Sequence, residues 1–158
     1  RGVYYFGAFL FALPLTAKAD ESVRLVCDGP GPMGAETIFE TTSNGYDRRN
    51  VEGPDFLTFK LNELDRKCEM QWATGAFYYF DLQTTANEFR CTLLDNDYAK
   101  DEKNELRVNS REWVIDINRY SGDGRFWSRT VKNKKNGNNW QNTYIFPLRD
   151  CRLESQRF

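Results

Sequence analysis

Apolar and polar residues alternate along much of this chain, in short stretches at fairly even spacing. Val23, Leu25 and Cys27 fall two apart. Leu57, Phe59 and Leu61 repeat the pattern against Thr58 and Lys60. Cys68, Met70 and Trp72 repeat it against Glu69 and Gln71, and Phe89, Cys91 and Leu93 against Arg90 and Thr92. Successive side chains of a strand point to opposite faces, so a period of two sends one set to a core and the other to water. Each stretch therefore predicts a half-buried strand. Residues 36–42, centred on Ile38, and residues 144–148 read the same way. Residues 76–82 are aromatic on both faces, which predicts a strand covered on both sides.

Residues 112–131 form the clearest unit. Trp113, Ile115 and Ile117 alternate with Glu112, Asp116 and Asn118, with Val114 breaking the polar side. Gly122 and Gly124 flank Asp123 and permit left-handed backbone, and residues 126–131 return to β-favouring types. The pattern predicts a hairpin with a loop of about four or five residues. Elsewhere, residues 28–34 predict a Gly/Pro loop, 43–55 a polar loop and 62–67 a polar turn. Residues 95–105, the most charged segment, predict a solvated loop or a short helical turn, with 106–108 a short strand at most. Residues 132–139 read as a basic hairpin tip, and Pro147 as a sheet edge or strand end. About eight to ten strands with turns between them predict an all-β fold, an antiparallel meander forming a small barrel or sandwich. A closed meander is preferred, because closure removes exposed strand edges.

Composition narrows the chemistry. The chain has no histidine. That excludes Ser-His-Asp and Cys-His catalysis and every zinc site that uses His. Four cysteines, Cys27, Cys68, Cys91 and Cys151, lack C-x-x-C spacing, which argues against a redox pair or zinc knuckle. Three pairings are open to them. The nested one, Cys68–Cys91 inside Cys27–Cys151, is preferred, because Cys68 and Cys91 fall on one face of nearby predicted strands. Two disulfides then staple the fold.

The compartment follows from the beginning of the sequence. Residues 3–15 are almost wholly apolar and precede Ala17-Lys18-Ala19. This pattern predicts a signal peptide over residues 1–19 and a single β-rich domain over residues 20–158, periplasmic or secreted. The chain opens on Arg1 rather than Met, so a start upstream of Arg1 is expected. A formal net charge of −1 gives no field that draws nucleic acid, and none is expected as a partner.

Ile115-Asp116-Ile117-Asn118-Arg119-Tyr120-Ser121-Gly122, with Cys27 and Cys151 as outer landmarks, resembles a strand-and-turn signature of small exported bacterial β-domain proteins of unknown function. The resemblance implies export and a disulfide-bearing β domain. It implies no activity.

The remaining constellations are these. Asp95, Asp97, Asp101 and Glu102 offer hard oxygens, but Ala99 and Lys100 break the EF-hand spacing, so no metal or cofactor is expected. Glu63, Asp65, Glu69, Asp81, Asp95 and Asp116 are carboxylates of the type that glycoside hydrolysis needs, with nothing to select two of them. Arg125, Phe126, Trp127, Arg129, Lys132, Lys134, Lys135, Trp140 and Tyr144 interleave aromatic and basic residues on one predicted hairpin, a pattern that could stack on single-stranded nucleic acid or glycans. Core or cross-strand packing of Trp127, Trp140 and Tyr144, with the lysines keeping an edge soluble, is the preferred account. Arg119 and Tyr120, at the strand-to-turn junction, belong with them as residues that core packing leaves over. The expected interaction surface is thus Arg119, Tyr120, Arg125, Trp127, Lys134, Lys135 and Trp140. The reading that follows is an exported, non-enzymatic binding or interaction module for another envelope or extracellular protein or a small apolar ligand. The alternatives are a carboxylate-dependent glycan hydrolase and a purely structural envelope protein.

Overall fold

The structure is a computed structural model that describes residues 22–41, 45–100, 106–134 and 139–154. The expected signal peptide lies outside these residues. Ten strands and no helix occur among them: β1 Val23–Asp28, β2 Ala35–Thr41, β3 Gly45–Val51, β4 Phe56–Asn62, β5 Lys67–Trp72, β6 Phe77–Thr84, β7 Glu88–Lys100, β8 Leu106–Asn118, β9 Gly124–Lys134 and β10 Trp140–Leu153. All pairings are antiparallel. Eight strands close into a barrel in the order β1-β4-β5-β6-β7-β8-β9-β10, with β10 returning to β1. The β2–β3 hairpin leaves the barrel between β1 and β4 and pairs with β10 instead.

β10 holds both parts together. On one side it pairs with β9 from Trp140 to Leu148. On the other it pairs with β2 from Trp140 to Ile145, and then with β1 from Arg149 to Leu153. Pro147, which has no N–H to donate, falls between the last β2 partner and the first β1 partner. The gap is where a proline costs the ladder least.

The predicted alternation is the packing pattern. Leu25, Cys27, Leu57, Phe59, Leu61, Cys68, Met70, Phe80, Leu82, Cys91, Ile115, Ile117, Phe126, Phe146 and Leu148 face inward and are buried. At the mouth Phe126 stacks on Phe146 at 4.6 Å, and Trp72 and Trp113 meet Phe126 edge-on at 5.6 and 5.9 Å. Tyr78 lies 4.5 Å from Trp113, and Tyr144 5.3 Å from Phe146. Such tilted and offset pairs each contribute about 0.5–1.5 kcal/mol beyond their burial. The aromatic residues thus fill the barrel mouth.

Both expected disulfides are present, Cys27–Cys151 and Cys68–Cys91. Cys68 on β5 reaches Cys91 on β7 across β6, inside the barrel. Cys27 meets Cys151 where a register shift interrupts the β1–β10 ladder. Paired cysteines of this kind mark a chain that folds in an oxidising compartment. No helix among the described residues is long and apolar enough to cross a membrane. The barrel wall is apolar inside, while Arg24, Lys60, Glu69 and Arg90 stand on its outer face. A lipid-facing barrel has the inverse pattern.

Five expectations need correction. Pro147 marks neither a sheet edge nor a strand end, because β10 runs through it and is paired on both sides. Residues 43–55 are not simply a loop, because β3 occupies Gly45–Val51. Residues 95–105 are neither loop nor helical turn where described, because β7 runs to Lys100, and residues 106–108 open the 13-residue β8 rather than a short strand. The basic tip starts later than expected, because β9 continues to Lys134. The aromatic strand β6 is covered on one face only, leaving Phe77 and Tyr79 50% and 69% exposed. The hairpin 112–131 has the expected form, with five residues between Asn118 and Gly124.

Candidate functional site

Four barrel strands do not stop at the mouth. β7 beyond Leu93, β8 before Trp113, β9 beyond Ser128 and β10 before Tyr144 continue in register, joined by β2 and β3. They form a single layer, here called the distal sheet, with no second layer against it among the described residues. One face continues the barrel interior, the other the barrel exterior.

The junction is built by the Gly/Pro loop. Gly29 N–H donates to the Asp55 carbonyl at 2.8 Å, and Gly53 N–H to the Gly31 carbonyl at 3.0 Å. A Cβ on Gly29 would collide with the Pro54 carbonyl, so the two crossing segments need glycine there. The loop splices the hairpin onto the barrel. Tyr144 Oη donates to the Glu52 carbonyl at 3.2 Å, tying β10 to the same crossing. Burial, and then the nearby Glu52 charge, push the Tyr144 phenol up from its ordinary value.

On the inner face, cross-strand register sets Lys132 beside Trp140, with its Nζ 5.1 Å from the ring centre. Phe39 on β2 approaches Trp140 at 5.7 Å and stays 40% exposed. Nearer the barrel, the exposed Arg111 guanidinium lies 5.8 Å from the centre of Trp113. On the outer face a groove of about 460 Å³ runs over Val131, Gln141, Glu40 and Tyr46, which are cross-strand neighbours on β9, β10, β2 and β3. Thr41, Gly45, Asn139 and Trp140 also line it.

The residues expected to form one interaction surface separate. Arg125, Trp127 and Arg129 alternate onto the outer face beside the barrel, and Trp140 and Lys132 onto the inner face of the distal sheet. Arg129 lies 5.5 Å from the Trp127 ring centre and bonds Glu112 at 3.0 Å. Arg125 is 3.7 Å from Asp116, which also accepts from Arg90 at 2.6 Å; that bond and that charge raise the Arg90 pKa. Lys134 ends β9, and Lys135 lies outside the described residues. Arg119 and Tyr120 sit at the far end of the barrel. Arg119 donates to the Thr85 carbonyl at 2.9 Å and lies 4.8 Å from the centre of Phe89, so it closes that end. Tyr120 is 80% exposed.

The candidate carboxylates lie on several elements, and none of them lines the groove. Glu63 and Asp65 lie on the β4–β5 turn, Glu69 and Asp81 on the outer faces of β5 and β6, and Asp116 on the outer face of β8. Asp65 bonds Asn62, and Asp81 bonds Lys67. No group of three acidic or cysteine side chains that could hold a metal occurs among the described residues. Asp101 and Glu102 lie outside them. Phe39, Arg111 and Tyr46 were missed by sequence reasoning. Phe39 lies on the inner face beside Trp140 and Tyr46 on the outer face beside Glu40, placements that the register sets, while Arg111 follows the alternation of Trp113.

No family model, curated protein or solved structure matches this chain.

Proposed function

We propose that the protein is an exported, non-enzymatic binding module that engages a partner protein through its distal sheet. The observation that carries this reading is the continuation of four barrel strands, joined by β2 and β3, beyond a filled barrel as one uncovered layer bearing Phe39, Trp140, Arg111 and Lys132. Protein interfaces are enriched in exposed aromatic and arginine side chains, and these anchors carry most of the binding energy. The packed mouth argues against a carrier of small apolar ligands, since Trp72, Trp113, Phe126 and Phe146 already occupy that space. The strand-turn signature at residues 115–122 and the apolar leader support export to the periplasm or the medium.

The test is affinity capture from a periplasmic or culture-supernatant fraction with the mature chain, the Trp140→Ala/Arg111→Glu variant and a Phe77→Ser control. The reading expects one stoichiometric partner with the native chain and the control, reduced at least tenfold with the distal-sheet variant. Equal capture by all three chains, or no partner from either fraction, contradicts it.

A further inference from the structure

β3 is the outer strand of the distal sheet. It pairs with β2 from Ala35–Val51 to Thr41–Gly45, and no described strand pairs with its other edge. Every residue from Gly45 to Asn50 is exposed. Such an edge presents unpaired N–H and C=O groups to any strand that approaches.

The sequence of this edge is symmetric in a particular way. In Gly-Tyr-Asp-Arg-Arg-Asn-Val, Asp47 and Arg49 flank Arg48. Two antiparallel copies centred on Arg48 overlap over the whole strand. They set Tyr46 against Asn50 and Asp47 against Arg49, each twice. Directly opposed residues share a face, so a permitted slip moves the centre by one residue and the pairing by two. Centring on Asp47 opposes two aspartates, and centring on Arg49 opposes two arginines. Like charges directly opposite destabilise a ladder, and both slips also shorten it.

The central arginines do not spoil the favoured register. Each Arg48 is held by its own Glu36 in a two-point contact, Nε to Oε1 at 2.7 Å and Nη2 to Oε2 at 2.8 Å. Asp47 and Arg49 already lie 2.8 Å apart within one strand. Two copies would therefore align these four charges in alternation.

We propose that the free edge of β3 pairs with β3 of a second copy of this chain, antiparallel and centred on Arg48. The pairing joins two distal sheets into one and doubles the surface they present. It is independent of what that surface binds. A single seven-residue edge is small, so the dimer belongs with the weak interfaces that bury less than about 1,200 Å².

The test is sedimentation of the mature chain at about 0.1 mM, a concentration suited to interfaces of that class. A concentration-dependent dimer is expected. Asp47→Arg and Arg49→Asp should each weaken association at least tenfold, and the Asp47→Arg/Arg49→Asp double variant should restore it. A covalent test needs no comparison of stabilities. Directly opposed strand residues have Cα atoms about 4.5–5.5 Å apart, within disulfide reach. Arg48→Cys should therefore form an interchain disulfide, and Asn50→Cys should not. A monomer at this concentration, a double variant no better than the singles, or equal cross-linking at the two cysteines would overturn the proposal.

Discussion

Arg119 shows what a surface guanidinium can do without a ligand. Its backbone N–H donates to Asn87 and its side chain to Thr85, both on the β6–β7 turn, while its charge lies over Phe89. A hydrogen bond of this kind contributes about 0.5–1.5 kcal/mol and an exposed cation–π contact about 0.5–1. Arg119→Ala is therefore expected to destabilise the fold by about 1–2 kcal/mol in urea melts. Amide exchange at residues 85–88 should rise with it. An unchanged melt would return Arg119 to the list of interaction residues. Tyr144 supplies the pH-dependent case. Its folded-state pKa lies above the ordinary value of 10.0, raised by burial and the Glu52 charge, so the folded chain holds this proton more tightly than the unfolded one. That stabilisation is complete below pH 10 and is lost as pH rises through the folded value. Tyr144→Phe should cost about 1 kcal/mol at neutral pH through the lost bond to Glu52. It should also flatten the alkaline decline in stability. A native chain and variant that decline in parallel above pH 10 would show that Tyr144 contributes nothing there.

Among the elements, the disulfides give the sharpest expectation. Cys27–Cys151 spans 124 positions and Cys68–Cys91 spans 23. In the chain-entropy model the shorter loop contributes about 3 kcal/mol and the longer about 1.5 more. Replacing each pair by alanines and comparing unfolding free energies measures the order, and a larger loss from the inner pair would show that core packing outweighs loop entropy. The barrel strands were legible because alternation records burial on one face. Cys68, Met70 and Trp72 face a core, and their spacing says so. β3 was not legible for the same reason. Only Val51 at its end meets the core, so Gly45–Asn50 has nothing to alternate and reads as a loop. The outer parts of β7 and β8 fail likewise: Asp95, Asn96 and Asp97 are paired in register with Arg111, Ser110 and Asn109, a ladder written entirely in polar residues. Residues 77 and 79 erred in the other direction, since aromatic character predicted a cover that β6 lacks. The candidate site was half legible. Trp140 stood out by type, and Arg111 extends the alternation of Trp113, Ile115 and Ile117, while Phe39 reaches Trp140 only through a pairing that no local pattern encodes.

At the scale of the molecule, two tiers divide the work. The barrel is filled, stapled twice and closed by Arg119 at one end and by aromatic rings at the other. The distal sheet has one layer, two faces and borders at β3 and β7. Secondary structure that buries little is drawn from the low-stability end of a fold, which suits a surface that is completed by a partner. Hydrogen exchange on the mature chain, alone and saturated with the captured partner, tests this division most directly. Alone, amides of residues 37–41, 109–111 and 130–132 should exchange at least tenfold faster than those of Ile115 and Ile117. With the partner bound, they should slow, and the turns at 62–67 and 119–123 should not change. Protection confined to those turns or to the outer face at Phe77 and Tyr79, with the distal sheet unaffected, would contradict the account.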